Sequence, residues 1–261
     1  MAVATMARVM EHRALQYKRT FRASIFSSFL NPAMFLAAMG LGLGGYVSAS
    51  GTATLGGVSY IEFLAPGLLA ATAMQAAAFE ATFPIIGGLV WNRIFHAMYA
   101  TPISPADIAA GNLAWIAARL VMICTVFTLV IVAFGAAASP LIVLAIPASV
   151  LTGMAFAGPI AAFSATQRTP EKFNAVFRFG ITPLFLLSGT FFPIESLPPV
   201  VQVAAWLSPL WHGVALTRSL ALGTALDQPL VALVHVVVLV TITIAGAVAA
   251  ARTVERRLVR G

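Results

Sequence analysis

The sequence predicts an all-α integral membrane protein with six transmembrane helices, and three observations carry that reading. The chain is 60% hydrophobic and only 9% charged over its 261 residues, against about 25% charged in a soluble domain. It therefore lacks the polar groups to cover a water-facing surface, and a bilayer supplies the missing apolar solvent. Six stretches approach the roughly 20 apolar residues that a spanning helix needs. Threading them across a membrane places fourteen of the fifteen Lys and Arg residues on one side, as the enrichment of basic residues in cytoplasmic loops requires. Residues 1–261 read as a single transmembrane domain.

The predicted spans cover residues 26–47, 60–83, 112–137, 141–163, 177–192 and 230–251. Ser139-Pro140, Thr169-Pro170, Pro198-Pro199 and Gln228-Pro229 supply turn chemistry between them. The fifth span is short on its own and is expected to begin before Phe177. On the cytoplasmic side fall Arg8, Arg13, Lys18, Arg19 and Arg22, then Arg93 and Arg119. Arg168, Lys172 and Arg178 follow, and the C-terminal tail holds Arg252, Arg256, Arg257 and Arg260. Arg218 alone lies on the outer side. An even number of spans puts both termini in the cytoplasm. The surplus of Arg over Lys and the abundant Ala point to a bacterium, and so to its plasma membrane.

Residues 8–24 precede the first span. Met10, Ala14, Tyr17 and Phe21 recur at helical spacing, while Arg8, Arg19 and Arg22 lie off that stripe. This predicts an amphipathic helix lying on membrane lipid at the cytoplasmic surface. The competing reading is a signal peptide ending near Ser48-Ala49-Ser50, but about 25 residues before the apolar run are too many for a basic n-region. At the other face, residues 193–229 are only half polar. Val200 to Leu207 and Trp211 to Leu222 have helical character with Pro209 between them, which predicts a re-entrant pair in the outer leaflet.

Several motifs exclude functions. Gly40 to Gly45 matches G-x-G-x-x-G, but it lies inside an apolar span and follows no strand, so it carries no dinucleotide. Gly40 and Gly44 form a small-xxx-small pair that either admits a close helix neighbour or marks a loose helix end. Lys18 follows Tyr17 and Lys172 follows Glu171, so no Walker A loop is present, and the chain is not expected to be an ATPase. His12, His96, His212 and His235 are scattered and Cys124 stands alone, so no metal, cofactor or disulfide framework is implied. The basic residues lie between apolar runs rather than in one patch, which argues against nucleic acid.

Two charges inside apolar runs bear on function, because an ionisable group at mid-membrane costs about 2.5–3.5 kcal/mol. Glu80 lies about one turn before the cytoplasmic end of the second span, and Arg119 lies about two turns into the third from the same side. Their similar depth predicts an ion pair, with separate snorkelling of each side chain as the alternative. Between these spans, residues 89–100 are amphipathic: Val90, Ile94, Ala97 and Met98 share one face, and Asn92, Arg93 and His96 lie off it. Gly87-Gly88 and Thr101-Pro102 flank this segment. A short helix so placed suits either docking to a cytosolic partner or resting on lipid.

Glu80-Ala-Thr-Phe83, Arg93 and the run Ala97 to Asp107 resemble the signature region of type-2 ABC exporter permeases. Tyr60 to Ala70 resembles their entry to the second span. Leu187 to Glu195, Leu197-Pro198 and Ser208 to His212 resemble the segment after their fifth span. Nodulation-type lipo-oligosaccharide exporters, and then daunorubicin-type drug exporters, are the nearest groups. Asn112 stands where many such permeases are expected to carry an acid. The resemblance implies an interface helix including Arg13, Tyr17, Arg19 and Arg22, and a coupling helix whose Asn92, Arg93, His96 and Tyr99 meet an ATPase. It also implies two separate ABC ATPase subunits per complex and a second permease copy or paralogue.

The expected function is thus the transmembrane subunit of an ATP-driven exporter. Its substrate would be amphipathic (a lipid, a lipid-linked saccharide or a hydrophobic drug), since few fixed charges line an apolar path. An ion-coupled secondary carrier is the alternative. That reading needs acids near the midplane and internal repeats, whereas Glu80 lies near an edge and no repeat is visible. A membrane-embedded enzyme would need a polar cluster at one face, and the sequence shows none.

Overall fold

The computed structural model describes residues 2–18, 21, 30, 33–43 and 57–260. Of the first predicted span, 26–47, residues 30 and 33–43 are described, with π-helical turns at Ala37–Leu43; Arg19, Arg22, Gly44 and Ser50 lie outside the described residues. Among the described residues the secondary structure is helical throughout. The principal elements are α1 (Ala2–Tyr17), α2 (Tyr60–Ile86), α3 (Ile94–Tyr99), α4 (Pro105–Ala133) and α5 (Ala145–Thr166). There follow α6 (Glu171–Val176), α7 (Thr182–Leu187), α8 (Pro199–Trp206), α9 (Pro209–Leu222) and α10 (Pro229–Arg260).

Four helical runs are long and apolar enough to cross a membrane: Tyr60–Trp91, Pro105–Ala133, Pro140–Thr166 and Pro229–Arg260. A fifth is obtained if the bent pair α8 and α9, which meet at 82°, counts as one. The bend falls at Leu207-Ser208, one residue before Pro209. Ser208 caps α9 by accepting a hydrogen bond from the Leu210 N–H at 3.1 Å. Residues 171–187 form one continuous but shorter run, in which π-helical turns at Phe177–Ile181 join α6 to α7. That run begins before Phe177, at Glu171, and stops at Leu187 rather than 192.

Several other boundaries differ from the sequence expectation, each for a local reason. The second span continues past residue 83 because Pro84 sits within α2 and is followed by π-helical turns at Gly87–Trp91. The third helix starts seven residues before 112, at Pro105. There Ser104 and Asp107 form a capping box, with the Ser104 hydroxyl accepting from Asp107 N–H at 3.1 Å. The last helix runs nine residues beyond 251, to Arg260. At the N-terminus the helix begins at Ala2, six residues before 8, and is described as Ala2–Tyr17; of residues 19–24 only Phe21 is described. Glu62, read from the sequence as merely interfacial, completes the capping box of α2 by accepting from Ser59 N–H at 2.8 Å.

Helix α2 is the most enclosed and α10 the least. Ala65, Ala70, Ala73, Ala77 and Ala81 of α2 are fully buried. Small side chains at these positions let α4, α5 and α9 close around it, since packing rather than hydrophobic contrast holds helices together in lipid. The tightest crossing joins α5 to α10. A Cβ added at Gly246 would lie 2.3 Å from Pro159 Cδ, and one at Gly158 would lie 2.6 Å from the Gly246 carbonyl carbon. The two backbones meet here with no room for a side chain.

Replacing Gly246 by Leu must therefore separate α5 from α10, and overpacking costs about 1–3 kcal/mol or more. A marked fall in detergent-solubilised melting temperature and folded yield is expected. Gly180→Ala is the control: a Cβ there meets nothing within 4 Å, and melting should be unchanged or slightly raised. Equal behaviour of the two variants would show that the crossing is looser than described.

Candidate functional site

The end of the bundle that carries α1 concentrates most of the predicted site residues. Helix α1 lies along the first turns of α4. Thr5 Oγ1 donates to Asp107 Oδ2 at 2.9 Å, and Arg13 Nε donates to Asn112 Oδ1 at 2.8 Å. Asn112 in turn donates from Nδ2 to the Ile108 carbonyl at 2.8 Å. A neutral amide thus serves both partners without an acid at this position. Val9 is buried between them against Gly111, where an added Cβ would stand 2.6 Å from Val9 Cβ. The glycine is what lets α1 approach.

Tyr17 closes the far part of this contact. Its ring meets Trp115 edge-on at 5.7 Å, and the Arg119 guanidinium carbon lies 4.2 Å from its centroid. Arg119 Nη2 also lies 3.4 Å from Glu80 Oε1, with the two side chains 15% and 16% exposed. The structure therefore brings Glu80, Arg119 and Tyr17 together from α2, α4 and α1. Cation–π and ionic attraction strengthen as water is excluded. On the same helix, burial pushes the His12 imidazole below its ordinary pKa, and the charge of Arg13 adds to that. Burial also lowers the pKa of Arg13, opposed by the negative charge of Glu80.

The segment expected as one helix over 89–100 is instead a helix–break–helix. The π-helical turns end at Trp91, Arg93 adopts the left-handed conformation at φ 50°, and α3 begins at Ile94. A non-glycine residue in that region costs about 1–2 kcal/mol. The break resets the helical phase, so the predicted apolar face is altered. Ile94 and Met98 pack against the core, Ala97 is exposed, and Phe95 is the buried anchor. Its ring rests on Gly88, where a Cβ would lie 2.5 Å from Phe95 Cε1. Asn92, Arg93 and Tyr99 are exposed, while His96 is half-buried.

The family model described as ABC-2 type transporter matches residues 7–222. The chain belongs to the ABC-2 type transporter family. Nodulation protein J of Rhizobium leguminosarum bv. trifolii is 34% identical over 209 residues, covering 80% of this chain and 78% of its own length. The protein of the same name from R. leguminosarum bv. viciae is 32% identical over 247 residues, covering 94% and 92%. That of Rhizobium meliloti (strain 1021) is 32% identical over 212 residues, covering 81% and 79%. An ABC-2 transporter chain is a multi-pass membrane transport component rather than an enzyme, and its family implies an ABC ATPase subunit as partner.

Two clusters in this ABC-2 chain escape sequence reasoning, both at the opposite end. Arg218 of α9 donates from Nε to the Phe63 carbonyl at 3.0 Å and from Nη2 to the Gly189 carbonyl at 2.8 Å. Its guanidinium carbon lies 3.7 Å from the Phe63 ring centroid. Pro66 lies inside α2, three residues after Phe63. Thr217 Oγ1 bonds the Pro66 carbonyl itself at 2.9 Å. Beside it, His212 Nδ1 and His235 Nδ1 stand 2.8 Å apart, joining α9 to α10, with Trp211 edge-on to both rings. One of these nitrogens must carry the shared proton. Among the described residues no group of three or more His, Cys, Asp or Glu is placed to hold a metal. Arg218 is the one basic residue that the predicted topology leaves off the cytoplasmic side, a signal visible in the sequence; a histidine pair 23 residues apart leaves none.

Removing one member of this half-buried ion pair leaves the other poorly compensated, at a cost below the roughly 3–5 kcal/mol of a fully buried pair. Glu80→Ala and Arg119→Ala should each depress thermal stability, and the double variant should cost less than their sum by about 0.5–3 kcal/mol. Strict additivity in a double-mutant cycle of melting temperatures would show that the pair contributes no coupling.

Proposed function

We propose that this chain is the membrane-spanning subunit of an exporter driven by two separate ABC ATPase subunits, paired with a second copy or a paralogue. Both termini, α1 and α3 then face the cytoplasm of a bacterium, and α8 with α9 forms a re-entrant pair in the outer leaflet. The observation that carries the reading is the helix–break–helix at residues 87–99. It joins α2 to α4 directly, exposes Asn92, Arg93 and Tyr99, and is anchored through Phe95. A push on α3 therefore reaches two long helices at once. An exposed tail with no such anchor would absorb it.

An amphipathic substrate suits this chain, because its spanning helices present few fixed charges and Glu80 is held by Arg119. The same ion pair weighs against an ion-coupled carrier, which needs an acid free to load and release a cation or proton. Exposed Leu233, Val237, Ile244 and Val248 give α10 an apolar outer face for lipid or for a second permease chain.

Arg93 offers a direct test, because two substitutions separate charge from conformation. Arg93→Gly keeps the left-handed turn at lower cost, whereas Arg93→Glu reverses the charge presented to the ATPase. Arg93→Glu should leave insertion intact while reducing ATPase co-purification and substrate efflux about tenfold or more. Arg93→Gly should fold at least as well and couple at an intermediate level. Normal ATPase capture and efflux by a correctly inserted Arg93→Glu chain would exclude this contact.

Sidedness is checked separately by cysteine labelling. The native Cys124 is buried and serves as a silent background. A cysteine at exposed Thr224 should react with an impermeant maleimide in intact cells, and one at exposed Thr169 only after permeabilisation. The reverse pattern at either position would break the proposed topology.

A further inference from the structure

A cavity of about 290 Å³ lies between α1, the end of α2, the break at Asn92 and the start of α4. Phe83, Trp91, Phe95 and Met98 give it apolar walls, and His12, Arg13, Gln16 and Asn112 give it a polar side. No carboxylate lines it. Arg13 spends Nε on Asn112, but its Nη2 is buried without a hydrogen-bond partner, and so is His12 Nε2. Glu80, the acid that acts on Arg13 through space, is held by Arg119. A buried charged donor left unmatched is costly. An oxyanion is the group that satisfies either unmatched donor, Arg13 Nη2 or the His12 Nε2–H tautomer, and both residues line this cavity.

The surroundings identify what carries that oxyanion. The cavity lies where α1 crosses the ends of spanning helices, which is headgroup depth if α1 rests on the membrane surface as in the topology proposed above. Trp91 stands half-exposed in its wall, and tryptophan favours that depth. Arg13 is the one charged residue among the lining groups, and no acid is present to receive a choline or ethanolamine. We propose that this cavity binds the phosphate headgroup of an anionic phospholipid from the adjacent leaflet. The lipid bridges α1 to the α2–α3 break, so its occupancy fixes the interface helix against the element that receives the push. Arg13 and His12 hold the phosphate, and the walls formed by Phe83 and Trp91 take the glycerol and first methylenes.

The test uses the full chain, delipidated in detergent and without any ATPase, so loss of ATPase coupling cannot imitate a negative result. Melting temperature and bound mass by native mass spectrometry are followed during titration with dioleoylphosphatidylglycerol, dioleoylphosphatidylcholine or inorganic phosphate. Phosphatidylglycerol should bind about tenfold or more tightly than phosphatidylcholine, and inorganic phosphate should not reproduce its stabilisation. Gln16→Glu places a like charge in the wall without touching the Arg13–Asn112 bond, and Arg13→Gln removes the cation. Both should abolish the preference, with Gln16→Glu retaining the native melting temperature in the absence of lipid. Equal binding of the two lipids, or an undiminished preference in Gln16→Glu, would overturn the site. Stabilisation by phosphate alone would show a free-anion site instead.

Discussion

The ion pair between Glu80 and Arg119 is the constraint on which the α1 end of this molecule rests. Neither charge is tolerable alone in an apolar helix packed this closely. Their mutual neutralisation fixes the depth of α2 relative to α4, and Arg119 then offers its upper face to the Tyr17 ring. Tyr17 brings α1 with it, and the Arg13–Asn112 and Thr5–Asp107 bonds complete the seam. Helix α1 is thus tied to the same two helices that the break at Arg93 connects. A movement of α3 cannot be confined to α3.

The opposite end is held by a different device. Arg218 finds backbone carbonyls and an aromatic face rather than an acid, and Thr217 bonds the carbonyl of Pro66. The carbonyls of Phe63 and Pro66 in α2 and of Gly189 supply the acceptors, and Thr217 and Arg218 of α9 take them. The bent segment is therefore fastened to the same helix, α2, that carries Glu80 at its other end. Helix α2 is the common member of both assemblies, and its alanine-rich surface explains how three neighbours can pack on it so closely.

What was legible in the sequence followed from local rules. Uniformly apolar runs gave the helices, and a count of turns put Glu80 and Arg119 at one depth; the capping boxes of Ser59 with Glu62 and Ser104 with Asp107 emerged only in the structure, so the third helix begins at Pro105 rather than 112. The break at Arg93 was not legible, because π-helical turns shift the periodicity and Gly87-Gly88 reads as a flexible end. Gly88 is instead the seat of Phe95. The helix of 89–100 therefore became two pieces with Ala97 turned outward. The partners of Arg218 and of the His212–His235 pair are brought close by the fold, across 155 and 23 residues, so no local pattern encodes these contacts, although the isolation of Arg218 among the basic residues marks the residue itself. Arg19 and Arg22 lie outside the described residues.

Membership of a transporter family and the short connection between α2 and α4 support the proposal that work enters at α3. The most direct measurement is site-specific photocrosslinking in membranes that contain the ATPase partner. A benzophenone attached to a cysteine replacing the exposed Ala97 on α3 should form an adduct with the ATPase subunit. The same probe replacing exposed Leu226 at the opposite end should form none. Adducts of equal yield from both positions, or none from position 97 in a complex that co-purifies, would contradict the assignment of α3 as the coupling contact.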